Sequence, residues 1–420
     1  MRLLLWLVIF ITSVGNATMV ETKLSNGVKI LVKETQGRGI VSGVLFFKGG
    51  KHGELKRGET HLLFTLLLKG SKTYPTSYHI SLPFEELGGF IYSSSGDDFS
   101  EIGFSTKQEG IRSALEVIGD ILTSPLFKEE DIEREKNNTV MAIRSKRERG
   151  MEFAMEHLRR LTFRGTPYET SPLGTEKDVM SLKREDIIRR FKEIVRSGNI
   201  VVSIVGDIKA EYLIPLLEET LGKIPEGELT LAEAENPVRE SKVLRIKREG
   251  TQTTILCAFN APPLKDRDYF TFKVLNSALG DGMTSKLFRE LREKRGYAYA
   301  VYSFYPTRFT SPRMFAYVGT SPTKADGALE DLIALIREPQ LSEEDINIAK
   351  KKIVGDFLLD HQTRLRQAWY LGFYEIMGFG WEMDLRYPDF ISKVSLKEIE
   401  RAIVKYLDKY HCVMVEPGGD

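Results

Sequence analysis

"SALEVIGDILTSPLFKEEDIE", residues 113–133, is echoed 214 positions later, without a gap, by "GALEDLIALIREPQLSEEDIN", residues 327–347. Ala114-Leu115-Glu116 falls on Ala328-Leu329-Glu330, and Pro125 on Pro339. Glu129-Glu130-Asp131-Ile132 falls on Glu343-Glu344-Asp345-Ile346. Each copy reads as an amphipathic helix, a proline-marked loop and the acidic first turn of a longer helix. Self-similarity of this kind implies two copies of one domain. A chain of 420 residues is in any case too long for one ordinary core.

Outward from the first copy, strands are expected over Val20–Lys33 and Gly39–Phe47, then a helix around His61. Strands follow in "GGFIYSSSG" and "FSEIGFST", then the helices from Gly110 and Glu129. This is an α+β pattern with a mainly antiparallel sheet flanked by helices, not a regular βαβ series. Gly88–Ser95 has the composition of an edge strand. The strand "NIVVSIVGD" and the helix "AEYLIPLLEETLG" close the first half. The expected organisation is an N-terminal domain over 18–222, a Pro-, Gly- and acid-marked linker over 223–241, and a C-terminal domain over 242–420.

Residues 1–17 read as an export signal. Met1-Arg2 is the positive start, Leu3–Ile11 is an unbroken apolar run, and Gly15-Asn16-Ala17 offers small residues for cleavage. The run is short for a membrane span, which needs about 20 apolar residues. The expectation is therefore a periplasmic protein without stable membrane insertion, or a membrane-anchored one if the signal stays uncleaved. Sixty basic and 59 acidic residues, well mixed, argue against nucleic-acid binding. The two cysteines, Cys257 and Cys412, each sit in a strand-like run. They can pair in an oxidising compartment, but the favoured reading is two buried, unpaired thiols.

No two of the six histidines lie four apart, so no helix presents an imidazole pair to a metal. There is no nucleophile elbow, P-loop or dinucleotide fingerprint. The order "RGETHLLFTLLLKGSKTYP", "ELGGFIYSSSGDDFS", "IEREKNNTVMAIRSKRE", "VVSIVGDI", "LGDGMTSKLFRELREKRGYAYAVYSF" resembles the M16 (insulinase/pitrilysin-like) peptidases. The similarity is to their short, processing-peptidase-type subunits and runs through the whole mature chain. The resemblance implies two homologous domains of LuxS-like metallohydrolase type, facing each other across a cavity. It also implies an inverted zinc motif, His-x-x-Glu-His, with a further Glu on a later helix.

Carried over position by position, that zinc site is degenerate. His61 matches the first ligand, but Phe64 stands at the catalytic Glu, Thr65 at the second His and Ala142 at the ligand Glu. Glu135 matches an auxiliary acid. No metal or cofactor is expected in this chain, and His61 reads best as a helix-start residue satisfied by hydrogen bonds.

The resemblance assigns a second element, an Arg near a helix end and a Tyr seven residues on. Here these are Arg292 and Tyr299, which would hydrogen-bond the substrate's scissile carbonyl or main chain. From composition alone the basic run Arg289, Arg292, Lys294 and Arg295 equally suits a solvated helix terminus. Tyr297, Tyr299 and Tyr305 equally suit one packed face of a strand. The implied function is the non-zinc-binding subunit of a heterodimeric metalloendopeptidase. Its partner would be an M16 subunit with an intact motif and the zinc, and its substrates extended peptides. The alternative is a non-enzymatic peptide-binding or scaffold protein of the same fold.

Overall fold

The computed structural model describes residues 10–14, 17–231 and 236–418. The expected export signal lies largely outside these residues. Within it, Phe10–Val14 (β1) runs as a strand antiparallel to Ala17–Lys23 (β2). The chain divides into two units, each an α+β domain built on one sheet.

The first sheet adds Lys29–Glu34 (β3), Ile40–Lys48 (β4), Phe90–Ser95 (β5), Phe99–Lys107 (β6) and Ile200–Gly206 (β7), in the order β1-β2-β3-β7-β4-β6-β5. Only the β3–β7 contact is parallel among its described pairs. β7, "IVVSIVG", is buried at every position, as a central strand covered on both faces requires. The Ser-rich β5, preceded by Gly88-Gly89, is an edge of the sheet, as the composition of Gly88–Ser95 suggested.

The expected strand over 20–33 is instead a hairpin. Asn26-Gly27 turns the chain, Gly27 sits at φ +95°, and Leu24 N–H donates to Val28 O at 2.9 Å. An Asn-Gly pair between apolar runs is a strong hairpin signal that outweighs strand continuity here.

The second sheet joins Lys242–Arg248 (β8), Thr253–Asn260 (β9), Ala298–Phe304 (β10), Arg313–Thr320 (β11) and Tyr410–Pro417 (β12), in the order β10-β11-β9-β12-β8. Its one parallel pair among the described residues is β12–β8. The favoured reading of the cysteines is corrected here. Cys257 on β9 and Cys412 on β12 are direct antiparallel partners, their Cα atoms 4.0 Å apart, and they form a disulfide. Both are buried, as expected; the register that sets them opposite each other is what the sequence hides.

The repeat survives into three dimensions. The helices Ile111–Thr123 and Ala325–Arg337 match end to end at the 214-residue offset, and Glu129–Glu148 and Glu343–Asp360 begin in register. Gly150–Thr162 and Arg364–Ile376 are likewise equivalent at that offset, and these two helices are exchanged. Gly150–Thr162, from the first half, packs on β9 and β12 of the second unit. Arg364–Ile376, from the second half, packs on β4 and β7 of the first. Ser203 on β7 donates its hydroxyl to Ala368 O at 2.6 Å, fastening the latter helix to the sheet. The units are therefore not contiguous halves. The first takes the described residues up to Ile143 with 171–231 and Asp360–Asp384, and the second takes the remainder. Among the described residues no helix is long and apolar enough to cross a membrane.

Candidate functional site

The helix Glu59–Leu67 carries the degenerate zinc positions. Its start has no side-chain N-cap; Gly58 occupies the cap at φ +93°, where a Cβ would meet Leu173 O at 2.6 Å. The free N–H groups are taken instead by the Glu54 carboxylate, which accepts from Gly58 N at 3.1 Å and Thr60 N at 2.9 Å. Burial raises the Glu54 and Glu59 carboxyls despite these bonds. The fully buried Glu59 pairs with Arg189 at 2.5 Å. Arg190, also fully buried, donates to Thr60 Oγ1 at 2.9 Å, Gly50 O at 2.8 Å and His52 O at 2.7 Å. This ion network fixes the loop that presents His61. Arg189 and Arg190 lie 130 or more positions from Glu59, Thr60, Gly50 and His52, which is why reading along the chain misses these bonds.

Along this helix the positions that the resemblance assigns to the base and the second ligand serve packing and backbone bonding. Phe64 is 1% exposed and meets Phe47 edge-on, ring centroids 5.1 Å apart, so the position of a general base is now core. Thr65 donates its hydroxyl to His61 O at 3.0 Å, spending it on its own helix. On the helix Glu129–Glu148, Ala142 is exposed and offers no donor atom. Glu135 is buried and bound to Lys69 at 3.0 Å and Asn138 at 3.1 Å. Burial pushes its carboxyl up, but the bonds from Asn138 and Lys69 prevail and hold it below its usual range. A cation thus already neutralises the one acid the site keeps. Among the described residues no group of three or more His, Cys, Asp or Glu is placed to hold a metal ion. Phe64, Thr65 and Ala142 do not fit a zinc centre, which takes four ligands, or three and a water.

The second element lies in the other unit. A π-helical turn over Phe288–Lys294 carries Arg292 and ends before Gly296, which sits at φ +59° as the expected residue just past a helix. Isolated π-turns inside helices recur at functional sites. The chain folds straight back, Tyr297 N–H donating to Leu291 O at 2.8 Å, into the edge strand β10. There Ala298 pairs with Thr320 and Ala300 with Gly319, so Tyr299 is the extra residue of a β-bulge. Bulges re-aim side chains, and Tyr299 is 60% exposed.

Arg289 is paired with Asp345, Arg295 with Asp331, and Lys294 with Glu290. Arg292 is exposed and, among the described residues, has no ion pair; its one contact is the Phe288 ring, 5.0 Å from the guanidinium carbon. Tyr305 is buried, its hydroxyl spent on Pro262 O at 2.7 Å. The Tyr299 hydroxyl has no partner among the described residues. Arg292 and Tyr299, on either side of the Gly296 turn, are thus both exposed and without a hydrogen bond or ion pair among the described residues.

Comparison with known proteins identifies the family and the fold. Residues 29–176 match the family model "Insulinase (Peptidase family M16)", and residues 181–353 match "Peptidase M16 inactive domain". The zinc protease YmxG of Bacillus subtilis, described as uncharacterized, is 22% identical over 404 residues, covering 94% of this chain and 97% of its own. The "Non-peptidase homolog YmxG" of Helicobacter pylori is 26% identical over 297 residues, 68% of this chain and 67% of its own. The crystal structure of a peptidase M16 inactive domain from Pseudomonas fluorescens superposes with a TM-score of 0.87 at 19% identity, covering 96% of this chain and 98% of that one. With both domain models matched in order and the fold shared throughout, the chain belongs to the peptidase M16 family, as a member whose zinc motif has been replaced.

Proposed function

We propose that this protein is the zinc-less subunit of a heterodimeric M16 metalloendopeptidase. In this reading a partner subunit with an intact His-x-x-Glu-His helix supplies the metal and the base. This chain supplies Arg292 and Tyr299, which orient the peptide and stabilise charge on the scissile carbonyl. A guanidinium brings a permanent charge and several fixed donors, and a phenol one directed O–H. Fixed donors aimed at a developing oxyanion need no reorganisation during the reaction.

The observation that carries the reading is the state of Arg292, which alone in its basic run has no carboxylate partner among the described residues while its neighbours are satisfied. The edge strand β5 would take the extended peptide by main-chain hydrogen bonding. In the same reading the chain is exported, and the Cys257–Cys412 disulfide suits an oxidising compartment.

The test is reconstitution with an M16 partner that carries the full motif, followed by peptide hydrolysis. The mixture is expected to turn over peptides far faster than either chain alone. Arg292→Ala is expected to lower kcat by about 10²-fold, as for loss of an oxyanion donor, with the unfolding temperature unchanged. Equal activity of the partner by itself contradicts the assignment and favours the non-enzymatic alternative.

A further inference from the structure

The first unit contains a pocket of about 600 Å³ that the zinc-less reading does not use. Its floor follows from strand register. Phe90, Ser105 and Ser42 are direct partners across β5, β6 and β4, so they share one face of the sheet. The next rows on that face are Tyr92, Gly103 and Val44, then Ser94, Glu101 and Phe46. The exchanged helix Arg364–Ile376 roofs these later rows, Trp369 Nε1 donating to Glu101 at 2.7 Å. Tyr92 lies flat over Gly103 and reaches the same carboxylate at 3.2 Å. Because the helix begins only at Arg364, the first row is left open, at the Phe90 end of the edge strand.

The charge of this opening has one sign. Arg38 and Arg364 both line it, and no Asp or Glu does. Among the described residues Arg364 is bonded only to Thr35 Oγ1 at 3.3 Å and to the carbonyls of Gln36 and Gly37. Arg38 is exposed and has no hydrogen bond or ion pair among the described residues. The acids close by are engaged elsewhere. Glu34 accepts from Lys209 at 2.8 Å and Ala210 N at 2.9 Å, and Asp207 accepts from Gly37 N at 3.1 Å. Ile40, Phe90 and Leu365 give the pocket apolar walls, and Ser42 and Ser105 lie hydroxyl to hydroxyl at 3.0 Å on its floor. Apolar walls around a few convergent polar groups are the ordinary anatomy of a ligand site of this volume.

We propose that the pocket is a carboxylate subsite, which takes an acidic side chain or a terminal carboxylate from an extended peptide seated along β5. This rests on the reading of β5 as a peptide-binding edge. Alternate side chains of an added strand point to one face of the sheet, so one near Phe90 enters the pocket. Its methylenes lie between Phe90 and Leu365, and its carboxylate meets the two guanidiniums in the fork geometry that favours arginine.

The experiment measures fluorescence anisotropy of labelled peptides on the full chain. One extended sequence is made in four forms: internal Glu with an amidated end, the matching Gln with an amidated end, Gln with a free C-terminal carboxylate, and both acids. A charge-assisted contact predicts that an acidic form binds about 10-fold tighter than the neutral one, less so at high salt. The two single-acid arms show which carboxylate is read. Arg38→Gln is expected to erase the preference with an unchanged unfolding temperature, because Arg38 makes no internal bond. Equal affinity of all four peptides, or a preference that survives Arg38→Gln, overturns the subsite while leaving the edge reading standing. No binding of any form overturns both.

Discussion

At position 64, where the resemblance to M16 peptidases implies a catalytic acid, this chain has a buried phenylalanine. Phe64 is packed in the first unit's core, and Lys69 occupies the neighbouring Glu135. The loss of the site was legible from residue identity alone; its conversion into core was not, because burial depends on β4 and Phe47. Lys273 is another residue whose state the sequence hides. It is half-buried, with Nζ over the rings of Tyr269 and Tyr305, and donates to Tyr305 O and Thr307 Oγ1, each at 3.0 Å. Burial lowers its pKa to about 8. The unfolded chain, with an ordinary lysine, binds more protons between that value and about 10.4. Stability therefore rises with pH through this window, and the cost is fully present below pH 8. Unfolding free energies at pH 7.5 and 9.5 are expected to show that rise in the wild type. Lys273→Met should show a smaller one, and an identical slope in both proteins contradicts the assignment.

At the scale of elements, the repeat was legible because helix periodicity, the proline and the acidic first turn are local signals. The exchange of the helices Gly150–Thr162 and Arg364–Ile376 was not, since an amphipathic stripe does not name the sheet that it covers. What specifies the seat is close packing. Gly372 presents no side chain to Phe46, and a Cβ there would stand 2.4 Å from the Phe46 ring and 2.6 Å from Ser203 Oγ. Overpacking of this kind costs about 1–3 kcal/mol, more than the gain of about 1 kcal/mol in helix propensity from replacing a glycine. Gly372→Ala is expected to lower the unfolding temperature and to speed amide exchange over residues 364–376. Unchanged exchange there would show that the helix is not held by this contact. The disulfide teaches the same lesson. Both cysteines were placed in strands, but only the register of β9 against β12 sets them opposite one another.

At the scale of the molecule, the two halves have diverged in what they keep. The first has the M16 fold without the zinc motif, and the second carries an arginine and a tyrosine that have no hydrogen bond or ion pair among the described residues. The fold class was legible from the order of short motifs along the chain, which also nominated Arg292 and Tyr299 as candidates. The pocket beside β5 was not, because it is built from three strands and the start of a helix more than 250 residues away. The central claim is that this chain has no catalytic metal of its own and works on a peptide bond that a partner's metal attacks. Zinc content of the isolated, folded protein after equilibrium dialysis tests it most directly. The account predicts far less than one zinc per chain; one tightly held zinc per chain would contradict it.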